Sequence, residues 1–435
     1  MREKTDNPKG YLKLNNVEYT FSLESKYLFL LHKDTGIDGL GLGNLENWEK
    51  IRKGFPLNGI WLIAHGEIEQ EKYYFHCSNP FFHTNNKFSL VVDCYAKIVS
   101  DEEIVDFGNS IADGFLFTAD FIGEYIKDCI TVQDSANDDS LRLEFPSKNV
   151  KLEDQDIEFS FCHKVIGNPA YGGLSTIKPI LKVNVPSITI AKLMEVYGNV
   201  VRTFSFIFRK NSVTVPEIAI LKEAHDGKSG CVFQVYFTDC EPNEIQFNRI
   251  VSSRALPYFD KIYQLIASGE LNTYHIPRNR SFEVTHLILM YSWFEKLYKT
   301  LPCNPLVELK INGRGKEQLY WRKEHPDSSK RGKSIADKDQ LYLMLQDHPK
   351  LKEYALKLLM CMSGWFHIDE FFNGFHERVS NYRNDIIHNE DILWYPFIFQ
   401  DTRFLELINY YLIMKYKCQC ADGDLDQLIC GWFLD

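Results

Sequence analysis

The period of the apolar residues changes once along this chain, and that change limits the fold more than any single motif does. Up to about Val185 apolar and polar residues alternate, as in Val17-Glu18-Tyr19-Thr20-Phe21-Ser22-Leu23, Ile157-Glu158-Phe159-Ser160-Phe161 and Ile180-Leu181-Lys182-Val183-Asn184-Val185. A period of two puts successive side chains on opposite faces of a strand. Gly59 to His65, Tyr73 to Cys77 and Phe88 to Val99 are further runs rich in β-formers, separated by turn signals such as Ser78-Asn79-Pro80 and Gly167-Asn168-Pro169. Many short strands of this kind predict a sandwich or a partly closed barrel. One helix is embedded in this half, over 187–209. Ser187 is its expected N-cap, and Ile190, Leu193, Met194, Tyr197, Val200, Val201, Phe204 and Phe208 form its apolar face. Strands from Val213 to Leu221 and from Cys231 to Phe237 complete the region, and Glu241-Pro242-Asn243 marks its boundary.

From about Phe247 the period becomes 3.6. Helices are predicted from Leu256-Pro257, where proline tolerates an early helical position, over Phe282 to Lys299, and over Asp339 to Gln346 with Pro349 to Met362. Two more run from Ile368 to about His388 and from Thr402 to Lys415, the last following the helix-ending Trp394-Tyr395-Pro396. The expected fold class is α+β. A β-rich region spans 1–245, and an all-α, up-and-down bundle spans 246–435.

Composition excludes several function classes. The formal net charge of −10 is wrong for a protein that coats nucleic acid, so any such contact must be local. Eleven cysteines, odd in number and irregularly spaced, predict reduced thiols in a cytoplasm rather than a disulfide framework. The polar stretch Met1 to Pro8 reads as no signal peptide, and no run approaches the ~18 apolar residues of a membrane span. The glycine-rich run Asp34 to Gly43 lacks a following Lys-Ser/Thr, so a flexible loop is expected there rather than a phosphate cradle. His32, His65, His76, His83 and His163 show no metal-ligand spacing, and no catalytic site is legible in this half.

The chemistry-bearing stretch is Tyr382-Arg383-Asn384-Asp385-Ile386-Ile387-His388. Ile368, Phe371, Phe372, Phe375, Val379, Tyr382 and Ile386 recur at helical spacing and share one face. Asn384 and His388, four apart, point together away from that face, with Arg383 on the flank. A competing pattern, Arg280 to His286, has an arginine ahead of its helix and a histidine set among apolar residues, and the first stretch is preferred. The bland reading of that stretch pairs Arg383 with a surface acid such as Asp385 or Glu377 and leaves His388 at a helix C-terminus.

Arg383-Asn384-Asp385-Ile386-Ile387-His388 resembles the signature of the HEPN superfamily of RNA-cleaving helical domains: an arginine, four to six residues, then a histidine, with a polar residue directly after the arginine. A large β-rich N-terminal region ahead of a C-terminal HEPN domain resembles the ApeA-like anti-phage, abortive-infection proteins. The resemblance implies a metal-independent endoribonuclease with no cofactor and with Arg383, Asn384 and His388 as catalytic residues. It also implies a homodimer in which two motifs face each other, an RNA substrate such as tRNA, and a phage-derived trigger acting through the N-terminal region. The alternative is a non-catalytic HEPN-like module for binding or dimerisation.

Two further features bear on partners. Lys310 to Lys338 holds nine cationic side chains against four acids, with Tyr320 and Trp321 interleaved. A mobile basic loop with stacking rings suits single-stranded RNA, which makes Tyr320, Trp321, Arg322, Lys323 and Arg331 the candidate substrate contacts. Cys418, Cys420 and Cys430 lack an obvious fourth ligand, so buried free thiols are expected there in preference to a zinc site.

Overall fold

The computed structural model describes residues 8–14, 17–32, 53, 60–67, 71–82, 88–99, 107–119, 122, 131–133, 142–144, 147–152, 155–166, 176–209, 213, 215–223, 229–238, 254–271, 283–301, 305–361, 368–387 and 397–434. The chain divides into two compact units. One comprises Met1–Val201 with Val213–Gln246, and the other Arg202–Ser212 with Phe247–Asp435.

The first unit is built on strands β1 (Lys9–Leu14), β2 (Val17–Glu24), β3 (Tyr27–His32), β4 (Ile60–Gly66), β5 (Lys72–Phe82), β6 (Phe88–Ile98), β7 (Ile111–Thr118), β8 (Thr131–Gln133), β9 (Arg142–Glu144), β10 (Ser147–Leu152), β11 (Gln155–Ile166), β12 (Thr176–Thr189), β13 (Glu217–Glu223) and β14 (Ser229–Phe237). Twelve of them form one sheet in the order β10-β11-β12-β7-β13-β14-β6-β3-β2-β1-β4-β5, and β5 returns to pair with β6. Six strands therefore close into a barrel, and six extend from it as an open wing. The expectation of a sandwich or partial barrel is corrected to a closed barrel that carries a wing. Closure removes the exposed edges that six strands would otherwise present. Register shifts in β5 around Cys77 give the local bend that lets it meet β6. Alternation fills the interior: Leu12, Phe21, Leu30, Leu62, Phe75 and Val92 lie in one buried cluster.

The wing turns on Gly114 in β7. Its φ is +153°, and a Cβ there would lie 2.1 Å from the Val183 carbonyl oxygen, so only glycine fits. Next to it Asp113 accepts the N–H of Ser187 at 2.9 Å and that of Glu223 at 2.8 Å. Ser187 is held at φ 52° where the β12–β7 register shifts. Ser187 therefore does not open the helix. The helix α1 spans Ile190–Phe208, and Thr189 Oγ1 accepts the N–H of Lys192. Tyr197 of α1 meets Phe115 and Phe117 edge-on and stacks on Phe237 at 4.9 Å, which covers one face of the wing.

In the second unit the described helices are α2 (Phe259–Ala267), α3 (Glu283–Thr300), α4 (Asp337–Asp347), α5 (Lys350–Cys361), α6 (Ile368–Ile387), α7 (Ile398–Leu412) and α8 (Asp422–Phe433), and the last residues of α1 belong with them. A π-helical turn, Ile413–Lys417, extends α7. From Asp401 to Leu412 all of α7 is buried except half-buried Arg403, so α7 is the axis of the packing. Phe375 of α6 packs on Phe404 at 4.8 Å, and Phe206 at the end of α1 stacks on Tyr410 at 4.6 Å. Trp432 of α8 lies 5.1 Å from Tyr410, and Asn409 donates to the Met290 carbonyl of α3 at 2.9 Å. The region is not all-α. An antiparallel hairpin, β15 (Val307–Ile311) with β16 (Glu317–Trp321), stands between α3 and α4. The helix α8, which ends in the buried ring of Phe433, is a further element beyond those the periodicity predicts.

Candidate functional site

Helix α6 buries the apolar stripe its sequence predicts. Phe371, Phe372, Phe375, Val379 and Tyr382 are all buried, and burial pushes the Tyr382 hydroxyl up to about 12. Asp369 and Glu370 in the first turn complement the helix dipole. Two arginines leave the stripe in different directions. Arg378 forks onto Asp401 of α7 at 2.7 and 3.0 Å and lies between the rings of Phe371 and Phe397. Burial raises the Asp401 carboxyl to about 6 even though Arg378 opposes the shift.

Arg383, one and a half turns on, is held by α3. Its Nη2 lies 3.5 Å from Glu295 Oε1, its guanidinium sits 5.4 Å from the centre of the Tyr291 ring, and Nη1 donates to Asn384 Oδ1 at 3.5 Å. The side chains of Arg383 and Glu295 are 26% and 17% exposed, so the pair is partly shielded from solvent and fixes the guanidinium more firmly than a free surface arginine. Asn384 is exposed. The structure thus brings Arg383 and Asn384 together, whereas His388 lies outside the described residues. Besides the acids of its own helix that the sequence offers, Arg383 meets Glu295 on a neighbouring helix. Tyr291 and Glu295, four apart on α3, are the contributors that sequence reasoning missed. Their spacing puts them on one helix face, but nothing local shows which helix that face meets.

Of the competing pattern, Arg280 lies outside the described residues. His286 faces a different constellation, the charges of Glu406, Arg209 and Arg403, and burial lowers its pKa. Its Nε2 is buried with no hydrogen-bond partner among the described residues.

The basic segment is a folded hairpin and its return. The Trp321 N–H donates to the Lys333 carbonyl, Gly332 donates to the Trp321 carbonyl, and Ile335 donates to the Leu319 carbonyl. Trp321 is buried, with its ring edge-on to His325 at 4.6 Å and the Lys330 ammonium 5.0 Å above it. The stacking surface expected of Trp321 is covered. Arg322 donates to the Val307 carbonyl at 3.2 Å and Arg331 to the His325 carbonyl at 2.7 Å, so both backbone-anchor the hairpin. Tyr320 is half-buried and Lys323 exposed. Cys418 and Cys420 are buried thiols that burial pushes up to about 12 and about 11, and Cys430 is half-buried. Among the described residues no group of three or more His, Cys, Asp or Glu side chains is placed to hold a metal ion. None of the described helices is long and apolar enough to cross a membrane.

No family model, no curated protein and no solved structure matches this chain.

Proposed function

We propose that the protein is a metal-independent endoribonuclease of the HEPN type, similar to the ApeA-like anti-phage proteins, working as a cytoplasmic homodimer. The observation that carries this reading is the guanidinium of Arg383, fixed by Glu295 and the Tyr291 ring beside exposed Asn384, with His388 next in sequence after the last residue of α6. RNA supplies its own nucleophile. Its 2′-oxygen attacks the adjacent phosphorus, the 5′-oxygen of the next nucleotide leaves, and the products carry a 2′,3′-cyclic phosphate and a 5′-OH. Arg383, which stays protonated, stabilises charge on the phosphate oxygens. His388 titrates near neutrality and moves the proton as base or acid, while Asn384 orients it or the phosphate. One such pair is half of an acid–base set, and a two-fold axis supplies the other half. The hairpin lysines and arginines, Lys323 foremost, contribute phosphate contacts, and tRNA is the proposed substrate. The first unit restrains or triggers the reaction, with a phage-derived component as its signal.

The Arg383–Glu295 pair also favours a second reading. An arginine that ties α6 to α3 suits a non-catalytic dimerisation or binding module. Cleavage of transfer and total RNA by purified protein in excess EDTA separates the two. The nuclease reading expects cyclic-phosphate ends from the wild type and none from His388→Ala or Arg383→Ala, both still folded dimers. Equal cutting by all three proteins refutes the assignment of Arg383 and His388. Equal silence, with no difference in cellular toxicity between wild type and His388→Ala, supports the binding module.

A further inference from the structure

The outer wall of the barrel presents aromatic rings to solvent. On β1 the outward residues are Lys9, Tyr11 and Lys13, with Gly10 and Leu12 turned inward. The register sets Leu31, Thr20, Tyr11, His65 and Lys72 in one row across five strands. Gly10 lets β1 approach β4 closely, since a Cβ there would lie 1.9 Å from the His65 carbonyl oxygen. This brings the Tyr11 ring onto the His65 imidazole, 5.4 Å between centroids and 19° from parallel. Tyr11 remains 47% exposed. Four residues back on β4, Trp61 lies against His76 at 4.9 Å and Phe107 at 4.7 Å and is still 39% exposed. Four strand residues put the two platforms about 13 Å apart. Exposed Ile63 lies between them on β4, and exposed Leu31 ends the row.

Three of the exposed apolar side chains, Tyr11, Trp61 and Ile63, lie on the adjoining strands β1 and β4, a cluster that a wall facing only water does not need. Backed ring pairs, with cations set between and beside them, fit flat aromatic ligands joined by anions. Lys72 shares the Tyr11 row, and Lys9 and Lys13 stand in the rows on either side. Glu18, Glu67 and Asp93, the last 3.1 Å from His76, are the acids nearby, so this wall is close to neutral although the whole chain carries −10. We infer that this wall, centred on Tyr11 and Trp61, binds single-stranded nucleic acid, with one base stacked on each ring and phosphates reaching Lys9 and Lys13. Stacking tolerates any base, so the site reads single-strandedness and not sequence. It lies in the first unit and does not depend on the proposed cleavage chemistry.

The test is fluorescence anisotropy of the full chain with a labelled oligodeoxythymidylate of about 12 nucleotides. That strand has no 2′-OH and cannot be cut by the proposed reaction, so a failure of the nuclease reading leaves this result untouched. The expected outcome is binding that weakens about tenfold in each of Tyr11→Ala and Trp61→Ala and is retained in Tyr11→Phe. Lys9→Ala with Lys13→Ala should flatten the dependence of log affinity on log salt by about 1.4, roughly 0.7 for each phosphate that is no longer neutralised. Unchanged melting of the exposed-site variants shows that they fold. Absence of binding by the wild type overturns the inference, and so does equal binding by wild type and both alanine variants. Self-association of the wild type that Tyr11→Ala abolishes, without strand binding, would make the wall a protein interface and overturn it too.

Discussion

Replacing Glu406 with glutamine should cost the second unit about 3 kcal/mol, the lower end of the range for breaking a buried ion pair. Arg209 Nη2 lies 2.7 and 2.8 Å from the two Glu406 oxygens, and its Nε lies 3.2 Å from one of them. Arg403 donates to the same carboxylate at 3.1 Å. The side chains of Arg209 and Glu406 are 6% and 3% exposed, so water cannot take over when the charge is removed. Arg209 also donates to the Trp432 carbonyl and lies 4.0 Å from the Phe433 ring centre, which ties its orientation to α8. Glutamine keeps one acceptor and roughly the same volume, so the loss is of charge and not of packing. For a unit of this size the cost corresponds to a fall in melting temperature of about 6–12 °C. Calorimetry gives the shift, and hydrogen exchange of α7 and α8 amides assigns it to the second unit. Replacing both partners, Arg209→Leu with Glu406→Leu, should cost less than the sum of the single changes, because Arg403 is part-exposed and can turn to solvent. The pH dependence has a definite sign. Burial alone would raise the Glu406 pKa, but Arg209 and Arg403 outweigh it and hold it below the ordinary 4.5. The stabilisation is therefore fully present above pH 4.5 and is lost as pH falls through the folded value. A Glu406→Gln melt within about 1 °C of wild type at pH 7 would refute this account of the cluster.

Asp401 behaves in the opposite sense: burial lifts its folded pKa to about 6 from 3.8, so its ionisation costs stability as pH rises through that window, reaching about 3 kcal/mol by pH 7. Asp401→Asn should flatten the melting-temperature slope between pH 4 and 6, and an unaltered slope would show that Asp401 does not titrate there. Gly114→Ala puts a methyl group against the Val183 carbonyl and should lower the midpoint of the first unit's urea unfolding; an unchanged midpoint would show that β7 and β12 can part without cost. Among the described cysteines, exposed Cys361 should be alkylated in the native protein while Cys77, Cys94 and Cys418 react only after unfolding, as peptide mapping after timed labelling would show.

The local patterns carried much of the fold. Alternation marks the β-rich region because each strand has one face on a core, and the stripe on α6 is buried where helical spacing places it. Closure was not legible, because the β5–β6 pairing that completes the barrel depends on register shifts with no local signal. The basic segment misled for a related reason. Composition marks it as polar, but Trp321 and Leu319 bury a small core of their own and backbone bonds from Gly332 to Ile335 close it. Polar content reports what faces water, not whether the backbone is ordered.

The candidate site shows the same limit in a form that matters for function. Arg378 and Arg383 are five residues apart, so they leave α6 about 140° apart and reach different neighbours. Arg378 meets Asp401 on α7, and Arg383 meets Glu295 on α3. The motif gives the residue types, but the rotation of α6 about its own axis decides where Arg383 points. That rotation is set by the buried stripe of Phe371, Phe375, Val379 and Tyr382, and two ion pairs whose acids lie outside the helix hold the arginines on its flanks. Of the two, the Asp401 carboxylate is fully buried and forked by Arg378, and the Glu295 pair is longer at 3.5 Å, so the Arg378 pair holds its geometry more firmly. Loss of Asp401 should therefore weaken the packing of α6 on α7 and lower the melting temperature, whereas loss of Glu295 should loosen the Arg383 guanidinium, which still meets Tyr291 and Asn384, and leave the melting temperature nearly unchanged.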